Sequence, residues 1–135
     1  MIARKNKITI YKSKKPTENN LNEDLQWVCD SLGLFGERDK DKSCFRMFVV
    51  LLKAIPTSEG LTSDEISEKV GLSRGTVVHH LHKLIGSGLV VYDGKKYMLR
   101  VNKLSSLIDE LEHDILRVMD DLKDAAKKID ERLNL

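Results

Sequence analysis

The stretch Leu61-Thr62-Ser63-Asp64-Glu65-Ile66-Ser67-Glu68-Lys69-Val70-Gly71-Leu72-Ser73-Arg74-Gly75-Thr76-Val77 decides how this chain folds. A hydroxyl at Thr62 followed by Asp64 and Glu65 starts a short helix, because hydroxyl oxygens and acids both satisfy the exposed amides and positive dipole end of a first turn. Ile66 and Val70, four residues apart, face inward. Gly71 allows the positive φ that ends the helix, Leu72 plugs the turn, and Ser73 caps the next helix. The pattern is helix, tight glycine turn, helix.

On the second helix Val77, Leu81 and Leu84 form one apolar stripe, so that side packs inward. Gly75, Thr76, His79, His82 and Lys83 fall on the other side, with Arg74 in the first turn. Those positions carry donors, small groups and one methyl, but no carboxylate to repel phosphate. Such a face suits a DNA major groove, where the amino-terminal half of a helix meets base edges. His80 sits beside the buried stripe, where a histidine flanks a core.

Further along, Gly86-Ser87-Gly88 breaks the helix, Leu89-Val90-Val91-Tyr92 favours strand, Asp93-Gly94 is a hairpin turn, and Tyr97-Met98-Leu99-Arg100 returns as a second strand. The hairpin is a wing, and Lys95, Lys96 and Arg100 place bases on it for phosphates or a minor groove.

Upstream, residues 17–55 read as two helices. The first carries Leu21, Leu25, Val28, Cys29 and Leu32 at helical spacing and ends before Gly33 and Gly36. A charged connector, 37–42, leads to the second, capped by Asp41 or Ser43. It buries Cys44, Met47, Phe48, Leu51, Leu52 and Ile55 and stops at Pro56.

Downstream, Leu104, Ile108, Leu111, Ile115, Val118, Leu122, Ala125 and Ile129 alternate four and three residues apart, the heptad rhythm of a coiled coil, with Arg132 at the final inner position. A helix of ~30 residues, about 45 Å long, cannot bury that seam against a small domain alone. Pairing that hides ~600 to 800 Å² of apolar surface contributes roughly 15 to 20 kcal/mol before association entropy. The seam predicts a homodimer, with intramolecular pairing on the 21–32 helix as the alternative.

The division that follows is a basic amino-terminal arm at 1–16, a winged helix-turn-helix domain with an extra helix at 17–103, and a dimerisation helix at 104–135. The fold class is mainly α with a small β-hairpin wing.

Charge is sorted along the chain although the net formal charge is only +2. Residues 1–15 carry Arg4, Lys5, Lys7, Lys12, Lys14 and Lys15 with no acid, whereas residues 104–135 hold nine acids against five bases. An anionic partner touching only part of the molecule fits this asymmetry.

The segment 61–100, through Gly71-Leu72-Ser73-Arg74-Gly75-Thr76-Val77, His80-Leu81-His82-Lys83-Leu84 and Gly88-Leu89-Val90, resembles winged-helix transcription regulators of the ArsR, TrmB and MarR-like types, particularly archaeal ones. The resemblance implies binding of double-stranded DNA by Ser73, Arg74, Thr76, His79, His80 and Lys83 and by the wing bases. Gly75 joins them by its place on the same face. A twofold dimer then reads an inverted repeat with half-sites about 34 Å apart or a multiple of that.

Other classes find less support. The longest apolar runs are too short to cross a bilayer and no secretory signal opens the chain, so a cytoplasmic protein is expected. Cys29 and Cys44 form no C-x-x-C pair and read as core residues. No cysteine stands on the 63–70 helix, unlike the thiolate-rich sensing motif of some ArsR-type proteins, and Asp109 with His113 supplies only two ligands. No cofactor, metal or small-molecule effector is evident. The chain has no phosphate-cradling glycine loop, nucleophile elbow or Cys-His constellation, so no enzyme is expected. The rival class is a winged-helix protein-interaction module of a transcription or other assembly, kept in view because Val78, His79 and His80 make the outward helix weakly basic.

Overall fold

The computed structural model describes residues 7–17, 20–34, 42–57 and 59–135. Arg4 and Lys5 of the basic arm, most of the charged connector and the candidate cap Asp41 lie outside the described residues. The elements run α1 (Leu21–Ser31), α2 (Ser43–Ala54), α3 (Ser63–Val70), α4 (Arg74–Gly86), β1 (Val90–Tyr92), β2 (Tyr97–Leu99) and α5 (Leu104–Leu133). This is the mainly α, winged helix-turn-helix class with a long carboxy-terminal helix.

Asn20 starts α1, its Oδ1 accepting from the amides of Asn22 (2.9 Å) and Glu23 (3.2 Å). Leu21, expected on the apolar face, is 84% exposed. It occupies the first helical position, one turn ahead of the point where the core begins at half-buried Leu25 and deepens to Cys29. Residues 7–17 form neither helix nor strand, yet the main chain ties them down: Lys7 N–H donates to Gly86 O at 3.1 Å and Tyr11 N–H to Ser31 O at 2.8 Å. The Trp27 indole adds a donation to Ser13 O at 3.4 Å. Residues 7–17 form a strap along the body, with Lys7, Lys12, Lys14 and Lys15 exposed.

Helix α2 differs from expectation at its start. Lys42 occupies the cap position in the left-handed region (φ 53°) without a side-chain cap bond, and Ser43 is the first helical residue, buried. Cys44, Met47, Phe48 and Leu51 are buried as the spacing requires, with Leu52 and Ile55 half-buried. The helix is the hub of the domain, packing on α3, α4 and β2, while α3 packs on α4 and α4 on β1. Ile66, Val77, Leu81, Leu84 and Leu89 complete the core at 1% exposure or less.

The hairpin strands pair antiparallel with Val90 opposite Leu99 and Tyr92 opposite Tyr97. A third piece of sheet, not foreseen from the sequence, joins them: Leu61 bridges Tyr97, with Leu61 N–H donating at 2.9 Å and Tyr97 N–H donating back at 2.7 Å. Leu61 directly precedes the cap of α3, so the wing is hydrogen-bonded to the entrance of the helix-turn-helix.

The chain divides into two compact units, 1–100 and 101–135. In the second, α5 runs uninterrupted for 30 residues and ends at Asn134 in the left-handed conformation. Leu107 and Leu111 are buried. Leu104 and Ile115 are half-buried, and Ile108, Val118, Leu122, Ala125 and Ile129 are open to solvent. Leu116, Met119 and Leu133, outside the original seam, are exposed as well.

Candidate nucleic-acid interface

Local chemistry fixes the angle between α3 and α4. Thr62 and Glu65 form a reciprocal capping box: Thr62 Oγ1 accepts from Glu65 N–H at 3.1 Å, and Glu65 Oε1 accepts from Thr62 N–H at 3.2 Å. The donations from Thr62, main-chain amide first and hydroxyl second, hold the Glu65 carboxyl below its ordinary value. At the other end Gly71 takes φ 70°, its amide and that of Leu72 both donating to Ser67 O at 2.9 and 3.3 Å. This left-handed closure uses the glycine where a Cβ would strain the backbone. Two further bonds lock the turn, Ser67 Oγ to Leu72 O and the Arg46 guanidinium to Val70 O. The Arg46 contact, from α2, was not legible in the sequence. It satisfies a carbonyl at the end of α3 that has no partner inside its own helix.

Ser73 caps α4, its Oγ accepting from Thr76 N–H at 3.2 Å and lying 2.8 Å from Thr76 Oγ1. Arg74, Gly75, Thr76, His79, His82 and Lys83 are all exposed, while Val77, Leu81 and Leu84 are buried. The outward face expected from the periodicity is therefore the solvent face of the helix. His80 is half-buried, its Nδ1 buried and its ring 5.6 Å from that of His79. It is set apart from the exposed group. Arg74 Nε lies 3.6 Å from Asp64 Oδ1.

The wing tip is organised by Asp93. Its Oδ1 accepts from Lys95 N–H at 2.9 Å and Lys96 N–H at 2.7 Å, which lowers its pKa, the Lys96 donation contributing most. Gly94 turns the chain at φ 97°. Tyr92 stacks on Tyr97 with ring centroids 4.4 Å apart and donates its hydroxyl to Gly94 O at 2.7 Å. Lys95 is exposed; Lys96 and Arg100 are half-buried. The wing thus carries bases on a braced hairpin, and half-exposed Tyr92, which the sequence reading did not single out, is part of the brace.

Capped ends, a glycine-closed turn and an acid-free solvent face make this segment a helix-turn-helix built to present α4. Residues 49–92 match the family model described as bacterial regulatory protein, arsR family. The match covers about a third of the chain, from the middle of α2 through β1. With the helix-turn-helix and the hairpin beside it, the match marks the segment as a winged helix-turn-helix similar to those of ArsR-type DNA-binding transcription regulators. No curated protein and no solved structure matches the chain.

Among the described residues no helix is long and apolar enough to cross a membrane. Nor do three or more His, Cys, Asp or Glu side chains gather there as a metal-binding group. Cys29 and Cys44 are both buried and not joined in a disulfide, and burial, with the Cys44 thiol second, pushes the Cys29 thiol up to about 12. The Cys29 thiol stays protonated near neutral pH, and both cysteines pack as small apolar groups.

Proposed function

We propose that this protein is a homodimeric, sequence-specific regulator of transcription that lays α4 in the major groove and its wing over phosphates or the minor groove. The observation that carries the proposal is the solvent face of α4, where Arg74, Gly75, Thr76, His79, His82 and Lys83 stand exposed on a helix without a single acid. In this reading Arg74 and His79 contact bases, Ser73 and Thr76 fix the first turn, and Lys83, Lys95, Lys96 and Arg100 meet the backbone. His80 supports the helix from its flank. Homodimerisation through α5 presents two such helices to an inverted repeat. The likeness to archaeal TrmB and MarR-like regulators rests on the quoted motifs.

A mobility-shift titration with genomic fragments at two salt concentrations tests the proposal. Arg74→Ala and His79→Ala should relax preference at particular bases. Loss of Lys95 and Lys96 should weaken binding evenly across sequences, each lost phosphate contact flattening the salt slope by about 0.9. A protein that retards no fragment preferentially at either salt concentration is instead an adaptor whose α4 and wing meet protein.

A further inference from the structure

We infer that α5 pairs with a second copy of itself in antiparallel orientation, in a register that sets Leu122 against the partner's Ala125. The inference rests on the homodimer reading above and adds its geometry.

The open part of the helix begins where burial stops. After Leu111 the apolar positions Val118, Met119, Leu122, Ile129 and Leu133 are 43% to 62% exposed. At ~100° per residue they fall, with Ala125 and Ala126, on one stripe wider than a strict two-position seam. That stripe needs a partner of the same length, and three features of the helix choose a reversed copy.

The first is charge. Residues 112–121 hold four acids (Glu112, Asp114, Asp120, Asp121) and one base (Arg117). Residues 122–133 hold four bases (Lys123, Lys127, Lys128, Arg132) and three acids. Parallel pairing sets the acidic half on its own copy, whereas reversal sets it on the basic half. The second is Arg132, at an inner heptad position. In a parallel pair it would face the partner's Arg132 across the seam, which like charges disfavour. In the reversed register it lies beside Ile115 and Asp114 of the other copy.

The third is volume. With Leu122 across from Ala125, Met119 falls across from Ala126, so each small residue meets a large one and Val118 meets Ile129. Facing large and small residues in this way fills a helix interface without voids. A parallel pair instead stacks Ala125 on Ala125, leaving a thin layer. The same register brings Asp121 against Lys128 twice, once on each side of the twofold axis. Sliding one helix by a heptad in either direction replaces those pairs with Asp121 on Asp121 or Lys128 on Lys128.

Spin labels at Asp109→Cys and Glu131→Cys, in separate full-length proteins, read the orientation. The unsubstituted protein, whose two cysteines are buried, serves as the labelling control. With the twofold axis between positions 123 and 124 and 1.5 Å rise per residue, the axial separation is about 44 Å for the first label and about 22 Å for the second. A parallel pair gives two short distances, each near the ~10 Å helix spacing plus label reach.

Charge exchange checks the register without labels. Asp121→Lys or Lys128→Asp alone should weaken dimerisation roughly tenfold, and the two together should restore it. In parallel pairing both residues face apolar positions, so the double variant would recover nothing. A dimer with short distances at both sites, or without rescue, overturns the antiparallel register and leaves the homodimer standing. A solution mass of one 15.4 kDa chain overturns the homodimer as well.

Discussion

Arg74 and Asp64 face each other across the helix-turn-helix, Nε to Oδ1 at 3.6 Å, with both side chains more than 70% exposed. A pair this open is worth little to the fold, about 0 to 1 kcal/mol. Its meaning lies in placement, since it sets a carboxylate beside the arginine best placed to meet a base. Asp64→Asn should tighten DNA binding about two- to fivefold by removing a like charge near the phosphates. It should also cost a few tenths of a kcal/mol in stability, because an acid in the first turn of α3 is lost. Duplex titration beside thermal melting measures the two, and changes of the same sign would place Asp64 away from DNA.

Gly75 offers a second separation of stability from binding. A Cβ built there meets no atom within 4 Å, and its φ is not positive. Neither packing nor backbone conformation requires glycine in this turn, so the residue costs helix stability without an internal return. Gly75→Ala should raise stability by about 0.5 to 1 kcal/mol. If the missing side chain admits DNA to close approach, the same variant binds its preferred duplex at least severalfold more weakly. Unchanged affinity would remove Gly75 from the interface.

The helix-turn-helix was legible because its signals are local. Thr62, Gly71 and Ser73 act on amides within a few residues of themselves, and the stripe of Val77, Leu81 and Leu84 needs only helical geometry to be seen. Contacts between distant segments were not legible. The Leu61–Tyr97 bridge joins residues 36 apart, and Arg46 reaches from α2 to the end of α3. Leu21 kept the right spacing but stands where the core has not yet begun. Periodicity tells which side of a helix is apolar; it does not tell how far along its length the neighbours extend.

Acid should act on the two ends of the site through Glu65 and Asp93. Both carboxyls are held below their ordinary values of 4.5 and 3.8 by hydrogen bonds they accept in the folded protein. A depressed folded pKa contributes stability above the unfolded value, and that contribution is lost as pH falls through the folded one. Wild-type stability should therefore decline as the pH drops below about 4.5. Glu65→Gln and Asp93→Asn, which retain an accepting oxygen, should each flatten that decline. Denaturant midpoints measured from about pH 6 to about pH 3 provide the check; equal slopes in all three proteins would contradict it.

Gly60 and Gly94 both take positive φ, 122° and 97°, and substitution should separate them. At Gly94 a Cβ meets nothing within 4 Å, so Gly94→Ala carries only backbone strain, about 1 kcal/mol. At Gly60 the same atom would lie 2.9 Å from Tyr97 O and 3.1 Å from Met98 Cε. Tyr97 O is the acceptor of the Leu61 amide, so relieving the clash pulls apart the bridge that joins the wing to the start of α3. Gly60→Ala should cost about 2 to 3 kcal/mol, strain and lost bridge together. It should also raise amide exchange at Leu61 and Tyr97, which Gly94→Ala leaves protected. Similar costs for the two variants, with Leu61 still protected, would show that the wing holds its place without the bridge.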